Sequence, residues 1–335
     1  MKIIRYILLP IVPIYYVITW FRNKLYDFGL KTSTSYNLPI ICVGNLSVGG
    51  TGKTPMIEYL ISILKHDFTV ATLSRGYKRK TQGFVLADDT SNAETIGDEP
   101  FQFFSKFKND VLVAVDANRN NGIKNLLQQK PKPKLILLDD AFQHRKVKAG
   151  FNILLTTYAN PYFNDIVLPT GNLREPKSGA KRANIIIVTK CPDNLTEATK
   201  QHYLNKIKPK PYQKVFFSGI NYANEVYTNT SSRALDSFKQ FTLVTGIANA
   251  KPLVDFLNKK GMNFKHLNFK DHYDFTNADV ENLNNESIII TTEKDFMRLK
   301  QYTILKDKLF YLPITVALND AITFNSLITN YIKKQ

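Results

Sequence analysis

The sequence predicts an α/β protein in which a mostly parallel sheet is covered by helices, with a second, smaller α/β domain and an N-terminal membrane-associated helix. Three observations carry that expectation. Apolar runs of strand length at 69–73, 111–115, 135–139, 153–155 and 185–188 alternate with helix-compatible stretches. A second series begins at 215–222, after a polar stretch running from Pro192 to Lys214. The first thirty residues differ in composition from both series. The expected divisions are therefore 1–30, 31–213 and 214–335. At 335 residues and 44% hydrophobic content the chain can build two cores.

Residues 6–21 carry no charge, and Arg5 and Arg22 bracket them. As a helix this run would reach only about 24 Å, short of a hydrocarbon core of about 30 Å. Pro10 and Pro13 interrupt it, and Tyr15, Tyr16 and Trp20 are types that favour the headgroup level. An interfacial anchor fits these features. Lys2, Arg5, Arg22, Lys24 and Lys31 against Asp27 alone orient it to the anionic cytoplasmic leaflet. A signal peptide lacks its small-residue cleavage site here. The other reading is a helix buried on the protein's own core, which its length also suits.

Leu38 to Val43 reads as a strand, and it leads into Gly44-Asn45-Leu46-Ser47-Val48-Gly49-Gly50-Thr51-Gly52-Lys53-Thr54. Ile57, Leu60, Ile61 and Leu64 then recur at helical spacing, with Pro55 suited to a first turn. A glycine loop opening a helix gathers backbone N–H groups around an anion. The loop Ser47, Val48, Gly49, Gly50, Thr51, Gly52, Lys53, Thr54 is therefore a candidate P-loop for ATP, making the large domain P-loop NTPase-like. Lys53 would reach the β and γ phosphates and Thr54 would offer its hydroxyl to Mg2+. Ser47 stands where the usual pattern begins with glycine.

A nucleotide site also needs a carboxylate at the end of an apolar strand, and Leu135-Ile136-Leu137-Leu138-Asp139-Asp140 supplies two candidates for holding Mg2+. After a later strand, Thr189-Lys190-Cys191-Pro192-Asp193 has proline where a guanine-reading aspartate would stand, which argues against GTP. Gly97-Asp98-Glu99-Pro100 reads as a rigid turn that aims carboxylates, or as the acidic N-terminus of a helix. Arg75, Arg119 and Arg174 have the forked geometry that matches phosphate, although Arg119 and Arg174 also suit solvated turns.

These phrases, taken in order, resemble the tetraacyldisaccharide 4'-kinase family over about residues 38–300. The resemblance rests on Val43 through Pro55, Ser74-Arg75-Gly76-Tyr77, Gly97 through Pro100, and Leu168 through Pro176. It continues with Thr245-Gly246-Ile247-Ala248-Asn249, Asp271 through Phe275, and Thr292-Glu293-Lys294-Asp295. Ala141, Ala250 and Tyr273 depart from the family's usual residues. The resemblance implies a kinase that uses Mg-ATP to phosphorylate a tetraacyldisaccharide 1-phosphate glycolipid. It further implies Asp98 as the base, His272 as its partner, Glu99 at the magnesium, and Asn45, Arg75, Arg119 and Arg174 at the substrate. An interdomain cleft would bring His272 to Asp98.

The balance of 45 Lys+Arg against 28 Asp+Glu gives +17 and calls for an anionic partner. Nucleic acid, acidic lipid and a phosphorylated substrate all fit that charge, but no nucleic-acid motif is present. The inner-membrane surface and the glycolipid are the expected partners. Cys42 and Cys191 lie outside any metal-ligand spacing and read as reduced and structural, which suits a cytosolic body. A deviant-P-loop ATPase of the assembly or partitioning type is the alternative, since Gly49 through Thr54 suits it too. The separate Asp98, Glu99 and His272 favour the kinase.

Overall fold

The computed structural model describes residues 2–271 and 273–335. The chain opens with α1 (Lys2–Ile7) and α2 (Val12–Asp27), separated by a short 3-10 turn at Leu9–Ile11. Pro10 falls in that turn and Pro13 in the first turn of α2, where a missing N–H costs least. The large layer then runs β1 (Ile40–Asn45), α3 (Lys53–Leu64), β2 (Val70–Ser74), β3 (Val85–Leu86), α4 (Ala93–Ile96), α5 (Asp98–Phe107), β4 (Val111–Val115) and α6 (Arg119–Leu126). It continues through β5 (Leu135–Asp139), β6 (Phe151–Thr157), β7 (Ile185–Thr189), α7 (Glu197–Ile207) and β8 (Lys214–Tyr222).

A second layer follows with β9 (Glu225–Tyr227), β10 (Ser232–Ala234), β11 (Phe241–Thr245), α8 (Lys251–Lys259), β12 (Phe264–Asn268) and α9 (Asn277–Asn284). Next come β13 (Ile289–Thr292), α10 (Glu293–Leu299), β14 (Leu309–Leu312), β15 (Ile314–Leu318) and α11 (Ala321–Lys333).

Among the described residues the strands form a nine-stranded sheet, β15-β8-β7-β6-β1-β5-β2-β4-β3, and a six-stranded sheet, β10-β9-β14-β13-β11-β12. In the large sheet only the outer pairs β15–β8 and β3–β4 are antiparallel. A parallel sheet is covered on both faces, so its strands read as unbroken apolar runs. Along β1, Ile41 and Val43 join the core that holds Met56, Ile57, Leu60 and Ile61 of α3, while Ile40 and Cys42 join the opposite core with Ile123 and Leu126 of α6. The period of two thus assigns each residue its layer.

The division expected at 213/214 does not follow the sheets. β8 pairs with β7 in parallel register from Ile185↔Lys214, and β15 then pairs with β8. Phe324, Ile328 and Ile332 of α11 pack into the α3 side of the large core. The polar stretch that marked the boundary is a surface helix and loop, α7 and 208–213, between two neighbouring strands of the same sheet. The six-stranded sheet is instead inserted between β8 and β15.

No residue of α2 is buried. Tyr15 and Val12 touch the large core, while Ile14, Val17, Ile18 and Phe21 are more than half exposed. That excludes the core-helix reading. No helix among the described residues is long and apolar enough to cross a membrane.

Candidate active site

In a parallel sheet, the turns after the C-terminal strand ends gather on one edge and build the site. Here β1 delivers the glycine loop, β2 delivers Arg75, β4 delivers Arg119 at the start of α6, β5 delivers Asp139 and Asp140, and β7 delivers Lys190. They line one cleft of about 1020 Å³. Its other wall comes from Ser218, Ile220 and Thr315 on β8 and β15 and from Asn249, Glu293 and Lys294 in or beside the smaller sheet.

Gly49 to Thr54 line the cleft. Gly49 has φ 106° and Gly52, the N-cap of α3, has φ 87°, a region that glycine enters without strain. The N-terminus of α3 therefore faces the cleft as an anion site. Ser47 and Val48 stand apart from this lining. Ser47 bridges to Leu173, and the Val48 N–H donates to the Asn172 carbonyl at 2.8 Å. They fix the stem of the loop. Asn45, expected at the substrate, is fully buried and donates from Nδ2 to the Ser47 carbonyl at 2.6 Å. Its structural work is to brace the same stem.

The Lys53 ammonium lies 3.7 Å from Asp140 Oδ2, and Arg174 Nη1 donates to both Asp140 oxygens at 2.9 and 3.0 Å. Asp139 is buried beside them. Burial, followed by the Asp140 charge and opposed by Lys53, pushes its carboxyl up to about 6. Ser74 Oγ donates to Asp139 Oδ2 at 3.2 Å, and Oδ1 is buried with no hydrogen-bond partner. An orphaned buried oxygen beside a phosphate loop is suited to a cation. Among the described residues no cluster of three or more His, Cys, Asp or Glu side chains could hold a metal by itself. That donor set fits Mg2+, which typically takes one or two carboxylates and completes its shell with water and substrate phosphates.

Arg75 lines the cleft. Arg119 also lines it, but it is 2% exposed and donates to the backbone carbonyls of Asp116 at 2.7 Å and Asp139 at 3.2 Å. It is a buried brace of the β5 turn, not a solvated residue. The Asp98 and Glu99 segment is the first turn of α5 rather than an isolated rigid turn, and Gly97 at φ 94° is its N-cap. Glu99 pairs with Lys294 at 3.2 Å, and Asp98 pairs with Arg298. His272, expected to join Asp98, lies outside the described residues.

Other groups at the site were not singled out from the sequence. Lys190 donates to the Gly50 carbonyl at 2.7 Å and Thr189 Oγ1 to the Thr51 carbonyl at 2.9 Å, so the end of β7 holds the loop from outside. Lys106 lies between Glu58 of α3 at 2.6 Å and Glu293 of α10 at 3.2 Å, and Gln102 donates to Glu58 at 2.7 Å. Burial, helped by the Glu58 charge, pushes Glu293 up to about 7. The sequence held one signal for this cluster, a glutamate inside the apolar stripe of α3. Glu175 accepts from Asn23, Gln143 and Arg182, which ties α2 to the loop that carries Arg174. In the same contact Arg22, read as facing the leaflet, donates to the Gln143 carbonyl at 2.8 Å and lines the cleft.

The family model described as Tetraacyldisaccharide-1-P 4'-kinase matches residues 4–333. The chain is 52% identical over 340 residues to the tetraacyldisaccharide 4'-kinase of Flavobacterium johnsoniae, covering 100% of this chain and 99% of that one. It is 42% identical over 348 residues to the Phocaeicola vulgatus protein of the same name, covering 98% and 95%. Among solved structures it is similar to the "apo" form of LpxK from Aquifex aeolicus in complex with ATP, with a TM-score of 0.78, 30% identity, and coverage of 98% of this chain and 99% of that one.

Proposed function

The chain belongs to the tetraacyldisaccharide-1-P 4'-kinase family, and from that premise we propose how its cleft performs the transfer. The reaction moves the γ-phosphoryl group of ATP to the 4'-hydroxyl of a tetraacyldisaccharide 1-phosphate, giving lipid IVA in lipid A formation. The acceptor oxygen bonds to the γ phosphorus as the bond to the β–γ bridging oxygen breaks, and ADP leaves with that electron pair. The hydroxyl proton goes to Asp98, with His272 as the partner that the family resemblance implies.

Phosphoryl transfer asks mainly for positioning and charge neutralisation. Gly49 through Gly52 and the start of α3 cradle the phosphates. Lys53 leaves Asp140 for the β and γ oxygens, and Arg174 and Arg75 face the acceptor's own phosphate or the transferred charge. Asp139, Asp140, Glu99 and Thr54 are the groups that would hold Mg2+. When bound, the cation neutralises charge on the phosphates. The observation that carries this reading is that Lys53, Asp139, Asp140, Arg174 and Glu99 all line one cleft.

The acceptor is acylated, and α2 presents Ile14, Val17, Ile18 and Phe21 to solvent at the mouth of this arrangement, tied to the Arg174 loop by Tyr15 and Asn23. This supports a protein lying on the cytoplasmic surface of the inner membrane, with α2 in the headgroup layer. The test is transfer of label from [γ-32P]ATP to a monophosphorylated tetraacyl disaccharide. Formation of ADP at one rate with and without acceptor, and no labelled lipid, would leave an ATPase and sink the kinase reading.

A further inference from the structure

A carboxylate in the first turn of a helix has several staggered side-chain positions open to it. Asp98 is the first residue of α5, and Gly97 is its N-cap. One partner that restricts those positions comes from the inserted layer. Arg298 of α10 donates from Nη2 to Asp98 Oδ2, and the two residues stand 200 positions apart in the chain.

Arg298 is itself held. It is 8% exposed, and its Nη1 lies 3.5 Å from Asp295 Oδ1. Asp295 is fully buried, and its Oδ2 accepts from the Gly246 N–H at 2.8 Å and from Thr292 Oγ1 at 2.7 Å. Thr292 is the N-cap of α10 and accepts from the Asp295 N–H at 3.1 Å. Gly246 must lack a side chain, because a Cβ there would stand 2.9 Å from Asp295 Oδ1. The cap of α10 and the end of β11 thus fix Asp295, Asp295 steadies Arg298, and Arg298 reaches Asp98. Lys294, one turn before Arg298, takes Glu99 at 3.2 Å. The two carboxylates that open α5 are both met by cations from the first two turns of α10.

We infer that Arg298 is a positioning residue for Asp98, so that α10 of the inserted layer aims the proton acceptor carried by the large layer. The inference rests on the reading of Asp98 as the base. A guanidinium stays protonated and has no acceptor atom, so Arg298 cannot take the hydroxyl proton itself and acts only through the carboxylate it holds.

The test is a double-mutant cycle on glycolipid phosphorylation, with Arg298→Met, Asp98→Asn and the combined variant, each with kcat and KM for ATP measured. Arg298→Met is expected to lower kcat by about 10²-fold with little change in KM for ATP, because a misplacement of about 1 Å costs that much. In the Asp98→Asn background it is expected to cost nothing further, since residues that act as one unit are not additive. Arg298→Lys should restore part of the loss, as a point charge without the fork. Losses that multiply in the combined variant mean a separate structural role and overturn the inference, as does normal kcat in Arg298→Met. If Arg298→Met does not fold, Arg298→Lys completes the cycle under the same criteria. Normal kcat in Asp98→Asn removes the base reading and this inference with it, whereas a slow Asp98→Asn beside a normal Arg298→Met removes this inference alone.

Discussion

The Lys53 ammonium and the Arg174 guanidinium share one carboxylate, with Asp140 3.7 Å from the first and 2.9 Å from the second. On the proposed reading, Lys53 exchanges this ion pair for phosphate oxygens. Lys53→Ala is expected to weaken ATP binding and to lower kcat by about 10² to 10³, the usual loss when one preorganised charge donor is removed. Calorimetric titration with ATP and the label-transfer assay read the two losses separately. Unchanged ATP affinity would take Lys53 out of the phosphate site.

Asp98→Asn is expected to fail in a different way. The variant keeps the shape of the first turn of α5 but cannot accept a proton, so ATP affinity should stay near normal while kcat falls by about 10² to 10⁴. A fall in ATP affinity as large as the fall in kcat would assign Asp98 to nucleotide binding.

The Glu58, Lys106 and Glu293 cluster makes a prediction about stability. Lys106→Met leaves two buried carboxylates without their shared cation, which costs about 3 to 5 kcal/mol for a broken buried pair. Glu293 sits above the ordinary glutamate range in the folded chain, chiefly through burial. A carboxyl raised on folding stabilises below its unfolded value near 4.5 and loses that contribution as pH rises through its folded value of about 7. Glu293→Gln should therefore gain Tm relative to the parent between pH 5 and pH 8. Thermal melts at the two pH values check the sign, and a difference that shrinks or stays flat contradicts it.

Two kinds of information separate in this chain. The glycine loop and the Asp139–Asp140 strand end were legible because each is a local pattern within about a dozen residues, whereas the α5 start read first as a rigid turn. Asp98 with Arg298, and Lys106 with Glu293, were not, because a pair nearly 200 positions apart leaves no periodicity. Thr292-Glu293-Lys294-Asp295 stands out as a phrase in the sequence, but only the structure gives it partners. The boundary at 213/214 departs from the division of the sheets for a related reason: polar composition marks exposure of α7, and exposure does not reveal that β8 pairs with β7.

The exposed face of α2 gives the last prediction. Replacing Ile14, Ile18 and Phe21 together by serine removes apolar area that is more than half exposed, so the fold and the kinase activity in detergent should hold. Binding to anionic vesicles should fall, and the residual binding should become more sensitive to salt, since only the screened contribution of the basic residues remains. Deleting residues 1–28 goes further, because it also strips Tyr15 and Asn23 from the Arg174 loop. Co-sedimentation at low and high salt reads both variants. Vesicle binding as tight as that of the parent would exclude α2 as the anchor.

Tyr331 in α11 exchanges hydrogen bonds of 3.3 Å with the backbone N–H and carbonyl of Ile40, at the root of the strand that delivers the P-loop. Those residues are 291 positions apart, and the whole inserted layer is synthesised between them. On a ribosome that adds about 5 to 20 residues per second, the nucleotide-binding layer must wait many seconds for its own last strand and helix. Loss of a short C-terminal piece would therefore injure the beginning of the protein before it injured the end. A nascent chain halted after β14 should present the inserted layer already resistant to protease while the P-loop layer is still cut.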